Sequence, residues 1–281
     1  MSFMENLMRP VEGQWLPVPA DYMANELVGN LFTFWAGGFG LAVIPWALYR
    51  LIKKKDDIPM LMIFGGFICS LLEPMLDNLG HLWWPTNLPG PSFVGFELNV
   101  PYLIPPCYVF FIAMTGYWAY LKFKQGLDVK GVFVVWALIS CTDIIMEMPG
   151  TATQAYIYYG DASFKVLGFP LAWGWLNGTS MLMVGFLLWL IEPHLQGWKR
   201  IFIVPSVITA MGASYGITAW PYFMSLNWDM PWLYTRLLTL LSFAICIMTV
   251  RFVAAVVSES SDSKAAVKNL RTKSMGQPAA A

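Results

Sequence analysis

Charge is what this chain has least of. Only 12% of its 281 residues are Asp, Glu, Lys or Arg, against roughly 25% in ordinary globular domains. Fully 57% are hydrophobic, so the composition excludes a typical water-soluble domain and points to the bilayer. Formal net charge is zero. With no basic stripe, nucleic acid is excluded as a partner. Histidine occurs twice, at His81 and His194, near opposite ends of the spans that hold them. That is too few for the histidine clusters of membrane oxygenases, and the two cannot ligate one haem. The four cysteines, Cys69, Cys107, Cys141 and Cys246, lie in apolar runs without paired spacing. They read as small buried hydrophobes, not a disulfide or zinc framework. No basic n-region precedes an apolar core at the N-terminus, so residues 1–25 read as a retained segment. Nucleophile elbows, phosphate loops and dinucleotide fingerprints are absent as well.

Long apolar runs remain. Seven, near 26–50, 58–83, 102–124, 130–149, 170–191, 201–220 and 232–256, are each long enough to cross a core of about 30 Å. The expectation is an all-α, polytopic membrane bundle of about seven helices. Residues 1–25 form an N-terminal segment on the outer face, 26–257 the transmembrane domain, and 258–281 a disordered cytoplasmic tail with too little apolar content to fold. Arg50, Lys53, Lys54, Lys55, Lys122, Lys124, Lys130, Lys199 and Arg200 fall on one side, with five more basic residues in the last span and tail. The other side holds Lys165 and Arg9. The positive-inside rule therefore gives N-out, C-in. Outer connections are long and rich in Pro and aromatics, suited to an interfacial belt or to a lid over a site.

Against this background the stretch from Ser70 to Pro85 stands out. It places Glu73, Asp77 and His81 at i, i+4 and i+8, roughly one face of a helix. A charged group at the bilayer centre costs about 2.5 kcal/mol or more, so such residues face an interior and mark function. Pro74 should free the carbonyl of Ser70 and kink the helix. Asp143 and Glu147 repeat the i, i+4 spacing in a later span, with Pro149-Gly150 expected to end it. At the same outer depth lie Tyr108, Asn177, Tyr215 and Arg236, with Trp83 close to the interface. Glu73, Asp77, Asp143 and Glu147 are the candidate catalytic residues. His81, Trp83, Asn177, Tyr215, Arg236 and Tyr108 are candidates for substrate contact. Four acids in a low-dielectric cavity cannot all ionise. A protonated and an ionised carboxyl together form an acid/base pair, and aromatic walls suit an apolar substrate or a developing cation. A metal held by Glu73, Asp77, His81 and Asp143 is the weaker reading, so no metal or cofactor is expected.

The pattern Glu73-Pro74-x-x-Asp77-x-x-Gly80-x-x-Trp83-x-Pro85, with Asp143-x-x-x-Glu147 in a later span, resembles the AveC-like spirocyclase family of bacterial integral membrane proteins. The resemblance covers the chain from the first span to the seventh. It implies a multi-pass protein of the bacterial inner membrane that forms spiroketals: a hydroxyl attacks a ketone with acid assistance, and water is lost. The integral-membrane terpene cyclases are similar in size and in their use of membrane carboxylates. That likeness implies protonation of an epoxide or alkene, with Glu73 and Asp143 in the corresponding positions. A proton-coupled carrier of a small lipophilic molecule is the competing class, and a non-catalytic receptor or assembly factor a third. On any of these readings the partners are a lipophilic small molecule and membrane lipids.

Overall fold

The computed structural model describes residues 10–11 and 17–275, with side chains from 17 to 260. It is mostly helical. Six helices are long and apolar enough to cross a membrane: Glu26–Lys54, Ile58–Gly80, Val129–Ala152, Leu171–His194, Gly197–Thr218 and Trp232–Ser260. They coincide with six of the seven expected segments.

Helix α1 (Glu26–Lys54) starts where the Asn25 side chain accepts from the Val28 N–H and stops at Lys55, in the left-handed region. The second span is α2 (Ile58–Cys69), a 3₁₀ turn (Ser70–Leu72) and α3 (Glu73–Gly80). Pro74 does break the regular helix. The Ser70 carbonyl is not left free, however, because the tighter turn lets it accept from the Glu73 N–H. The expected 102–124 segment is helical but mixed in kind. Helix α4 (Ile104–Tyr108) runs through a π turn (Val109–Met114) into α5 (Thr115–Gln125). Its prolines, tyrosines and tryptophan lower its hydropathy, and it is not among the six.

Helix α6 (Val129–Ala152) begins at Asp128, whose carboxylate accepts from the Gly131 N–H. It does not end at Pro149-Gly150 as expected. Proline removes one donor, but the helix closes around it, with the Thr153 N–H bonding back to the Pro149 carbonyl at 3.0 Å. Then follow α7 (Leu171–Ile191), α8 (Ile203–Thr218), the short α9 (Trp220–Asn227) and α10 (Trp232–Met275). Helix α10 continues past residue 257, into the expected tail, as far as Met275. The rest of that tail, 276–281, lies outside the described residues, as do 1–9 and 12–16 of the N-terminal segment.

Helix α7 is the centre of the bundle, with 67% of its apolar window buried against 28% for α1. It packs on α5, α6, α8 and α10. Contact with α5 is close because Gly185 lies against the backbone of Gly116, where a Cβ would come within 2.5 Å of the carbonyl oxygen.

The connections at one end of the bundle carry all the described β-structure. Strand β1 (Pro10–Val11) pairs with β8 (Met230–Pro231), and β2 (Leu82–Trp83) with β5 (Ile157–Tyr158). Strands β3 (Ser92–Gly95) and β4 (Leu98–Pro101) form one hairpin, β6 (Lys165–Val166) and β7 (Phe169–Pro170) another. This is the loop-rich end. The opposite, basic end has short turns with Lys53–Lys55 and Lys199–Arg200.

Candidate active site

Three acids from two helices, Glu73, Asp77 and Glu147, open on one cavity near the loop-rich end, and Asp143 is linked to Glu147 through Asn177. Glu73 and Asp77, one turn apart on α3, are both buried. The hydroxyl of Tyr108 on α4 donates to Glu73 Oε2. The indole of Trp84 donates to Asp77 Oδ2 at 3.1 Å. Across the cavity, Glu147 Oε2 accepts from Tyr158 at 2.8 Å and Tyr156 at 3.1 Å. Its Oε1 accepts from Asn177 Nδ2 at 2.9 Å, and the same amide donates to Asp143 Oδ1 at 2.9 Å. Asn177 Oδ1 in turn accepts from the Tyr215 hydroxyl. This network fixes the amide orientation, since the flipped form would set its oxygen against two carboxyl groups. The other oxygen of the fully buried Asp143, Oδ2, has no hydrogen-bond partner among the described residues.

The cavity measures about 70 Å³ and is lined by Glu73, Asp77, Glu147, Asn177, Tyr108 and Tyr215 among walls of Leu76, Leu103, Phe111, Met146 and Trp173. Asp143 stands behind Asn177. Phe32, Trp84 and Tyr156 also line the cavity and pack on one another, with centroids 4.4 Å apart for Trp84–Tyr156 and 5.3 Å for Phe32–Tyr156. No Lys, Arg or His lines it. Among the described residues no three of His, Cys, Asp and Glu are grouped as a metal site.

Three expected contact residues lie elsewhere. His81 has φ +55° and ends α3, which breaks its alignment with Glu73 and Asp77. Its ring stacks on Tyr159 at 4.9 Å, and Nε2 sits 3.3 Å from Asn227 Oδ1. Burial lowers its pKa, and because Asn227 Oδ1 can only accept, Nε2 is the donor of that contact. Trp83 is buried but does not line the cavity. Successive residues of an extended strand point to opposite sides, and it is Trp84 that faces Asp77. Arg236 pairs with Asp161 at 3.2 Å and lies 4.3 Å over the Trp232 ring. It serves the loops, not the cavity.

Trp84, Tyr156 and Tyr158 were not among the expected site residues. The alternation Tyr156-Ile157-Tyr158 is the sequence signal that could have found two of them, because i and i+2 share a face of a strand. Comparison of the chain with protein-family models, with curated proteins and with solved structures gives no match.

Proposed function

We propose that the protein is an intramembrane acid/base enzyme acting on an apolar, oxygen-bearing substrate by cyclisation with loss of water. The observation that carries this reading is that three carboxyl groups, Glu73, Asp77 and Glu147, face one aromatic-walled cavity whose lining holds no Lys, Arg or His, with Asp143 behind Asn177. Four carboxyl groups so placed cannot all be ionised, so a proton donor and a proton acceptor coexist within one cavity. Glu73 is the general acid, with Asp77 as its charge partner. Glu147 is the base, with Asp143 behind it. In a spiroketal-forming reaction Glu73 protonates a ketone oxygen while Glu147 takes the proton of the attacking hydroxyl. Glu147, now protonated, returns that proton to the hemiketal hydroxyl, which leaves as water, and the second hydroxyl closes the other ring and gives its proton to Glu73. A dihydroxyketone thus becomes a spiroketal and one water. This is the chemistry implied by the AveC-like resemblance.

The cavity is small for such a molecule. Drug-sized ligands occupy pockets of roughly 300 Å³ or more, so turnover on this reading requires the Phe32–Trp84–Tyr156 roof to part. Phe111, Trp173 and Tyr215 beside the acids support a second reading, a terpene cyclase whose carbocation is stabilised by ring faces.

On the same proposal the helical stretch Ile104–Gln125 is a seventh crossing. The loop-rich end then faces outward and the basic end the cytoplasm of a bacterial cell, in its inner membrane.

Conversion of a lipophilic dihydroxyketone by membranes containing the protein tests the assignment. Glu73→Gln should lower turnover about a hundredfold or more while the thermal melt is retained. Full activity in that variant would remove Glu73 from the mechanism. Flux across proteoliposomes that needs Asp143, without chemical conversion, would establish the carrier instead.

A further inference from the structure

The basic end holds a second concave feature, remote from the carboxyl cavity. Leu51, Ile52, Lys55, Asp57 and Arg200 border a shallow groove, open to solvent, between the end of α1, the start of α2 and the 3₁₀ segment Gly197–Phe202. Its one acid, Asp57, and the neighbouring Asp56 are already paired. Arg50 Nη2 lies 2.6 Å from Asp56 Oδ2, and Arg200 Nε donates to Asp57 Oδ2 at 2.9 Å. Lys53, Lys54, Lys55 and Lys199 remain, all exposed and without a carboxylate within ion-pair distance among the described residues. The surroundings are apolar. Ile52 is 59% exposed, and Trp198, Ile201 and Phe202 are exposed on the 3₁₀ segment. Of these four cations Lys55 lines the groove and Lys199 adjoins its Arg200; with exposed apolar side chains beside them they match one kind of molecule, with a negative phosphodiester head and acyl chains. Basic pockets between helices at the cytoplasmic face take such head groups.

We infer that this groove is a binding site for an anionic phospholipid, its phosphodiester held by Lys55 and Lys199 and its chains lying along Ile52 and Phe202. The inference rests on the membrane reading alone and not on the proposed chemistry.

Purified full-length protein in neutral detergent would be titrated with phosphatidylglycerol and with phosphatidylcholine of the same chains, bound lipid being counted by native mass spectrometry. Phosphatidylglycerol should bind at least about tenfold tighter, and a Lys55→Gln/Lys199→Gln variant should lose that preference. Arg200 is kept, so that Asp57 retains its partner, and an unchanged melt shows that the variant is folded. Glycerol 3-phosphate at the same concentration should not compete. Equal affinity for the two lipids, or an undiminished preference in the double variant, would overturn the site. Competition by glycerol 3-phosphate would make it a site for soluble anions and overturn the lipid assignment.

Discussion

Asn177 has its hydrogen-bonding capacity committed within the protein, which changes its role. It donates to both Asp143 and Glu147 and accepts from Tyr215, so it positions the acids and has little left for a substrate. A buried polar group stripped of its partner costs roughly 1–3 kcal/mol. Asn177→Leu strips three neighbours at once, and in Asp143 it leaves both oxygens without a partner. We expect a loss of about 2–4 kcal/mol, read as a clear drop in the thermal melt of the detergent-solubilised protein. Tyr215→Phe removes one hydroxyl and should cost less. Equal melting of Asn177→Leu and the wild type would show that water replaces the amide without penalty. The four acids were legible in the sequence because a carboxylate in an apolar run has few bland explanations. Their partners were not. That Asn177 bridges Asp143 and Glu147 depends on the register of α6 against α7, and that Tyr156 and Tyr158 reach Glu147 depends on how an irregular loop folds back. Neither leaves a local mark.

At the scale of the element, apolar length was readable and interruptions were read with uneven success. Pro74 sits in the first turn of α3, where a missing donor matters least, and the 3₁₀ turn before it absorbs the break. Pro149 lies in the last turns of α6, where the same argument predicted an end, yet later amides still find carbonyls. Helix crossings were invisible in the sequence, because Gly37, Gly38 and Gly40 look alike there. In the structure they differ sharply. A Cβ on Gly40 would lie 1.6 Å from the Pro106 carbonyl oxygen, whereas one on Gly38 would meet nothing within 4 Å. The obstacle at Gly40 is backbone, so no rotamer change relieves it, and α1 would have to leave α4. Since α1 contributes Phe32 and Ala36 to the cavity, the site would open with it. Gly40→Leu should therefore abolish the monodisperse peak in detergent size-exclusion chromatography, while Gly38→Leu should leave it near wild type. Similar profiles for the two variants would mean that α1 does not cross α4 at Gly40.

Over the whole molecule, charge and polarity are sorted to opposite ends. The basic end carries lysines over short turns, without a carboxylate partner among the described residues, and the loop-rich end carries the carboxyl cavity. On the proposed membrane reading, the positive-inside rule puts the lysines on the cytoplasmic side and the cavity toward the outer leaflet. Parity then separates the alternatives. If Ile104–Gln125 crosses, there are seven spans and the two chain ends lie on opposite sides. If it does not, six spans return them to the same side. Single cysteines at Val18 and Glu259, both exposed, would be introduced after replacing the exposed native Cys141. Val18→Cys should react with a membrane-impermeant maleimide in intact cells, and Glu259→Cys only after permeabilisation. Labelling of both in intact cells, or of neither, would favour six crossings. The reverse pattern would keep seven and invert the protein, placing the acid cavity on the cytoplasmic side and the lysine groove outside. A lipophilic substrate made in the cytoplasm would then meet the cavity directly instead of crossing the bilayer to reach it.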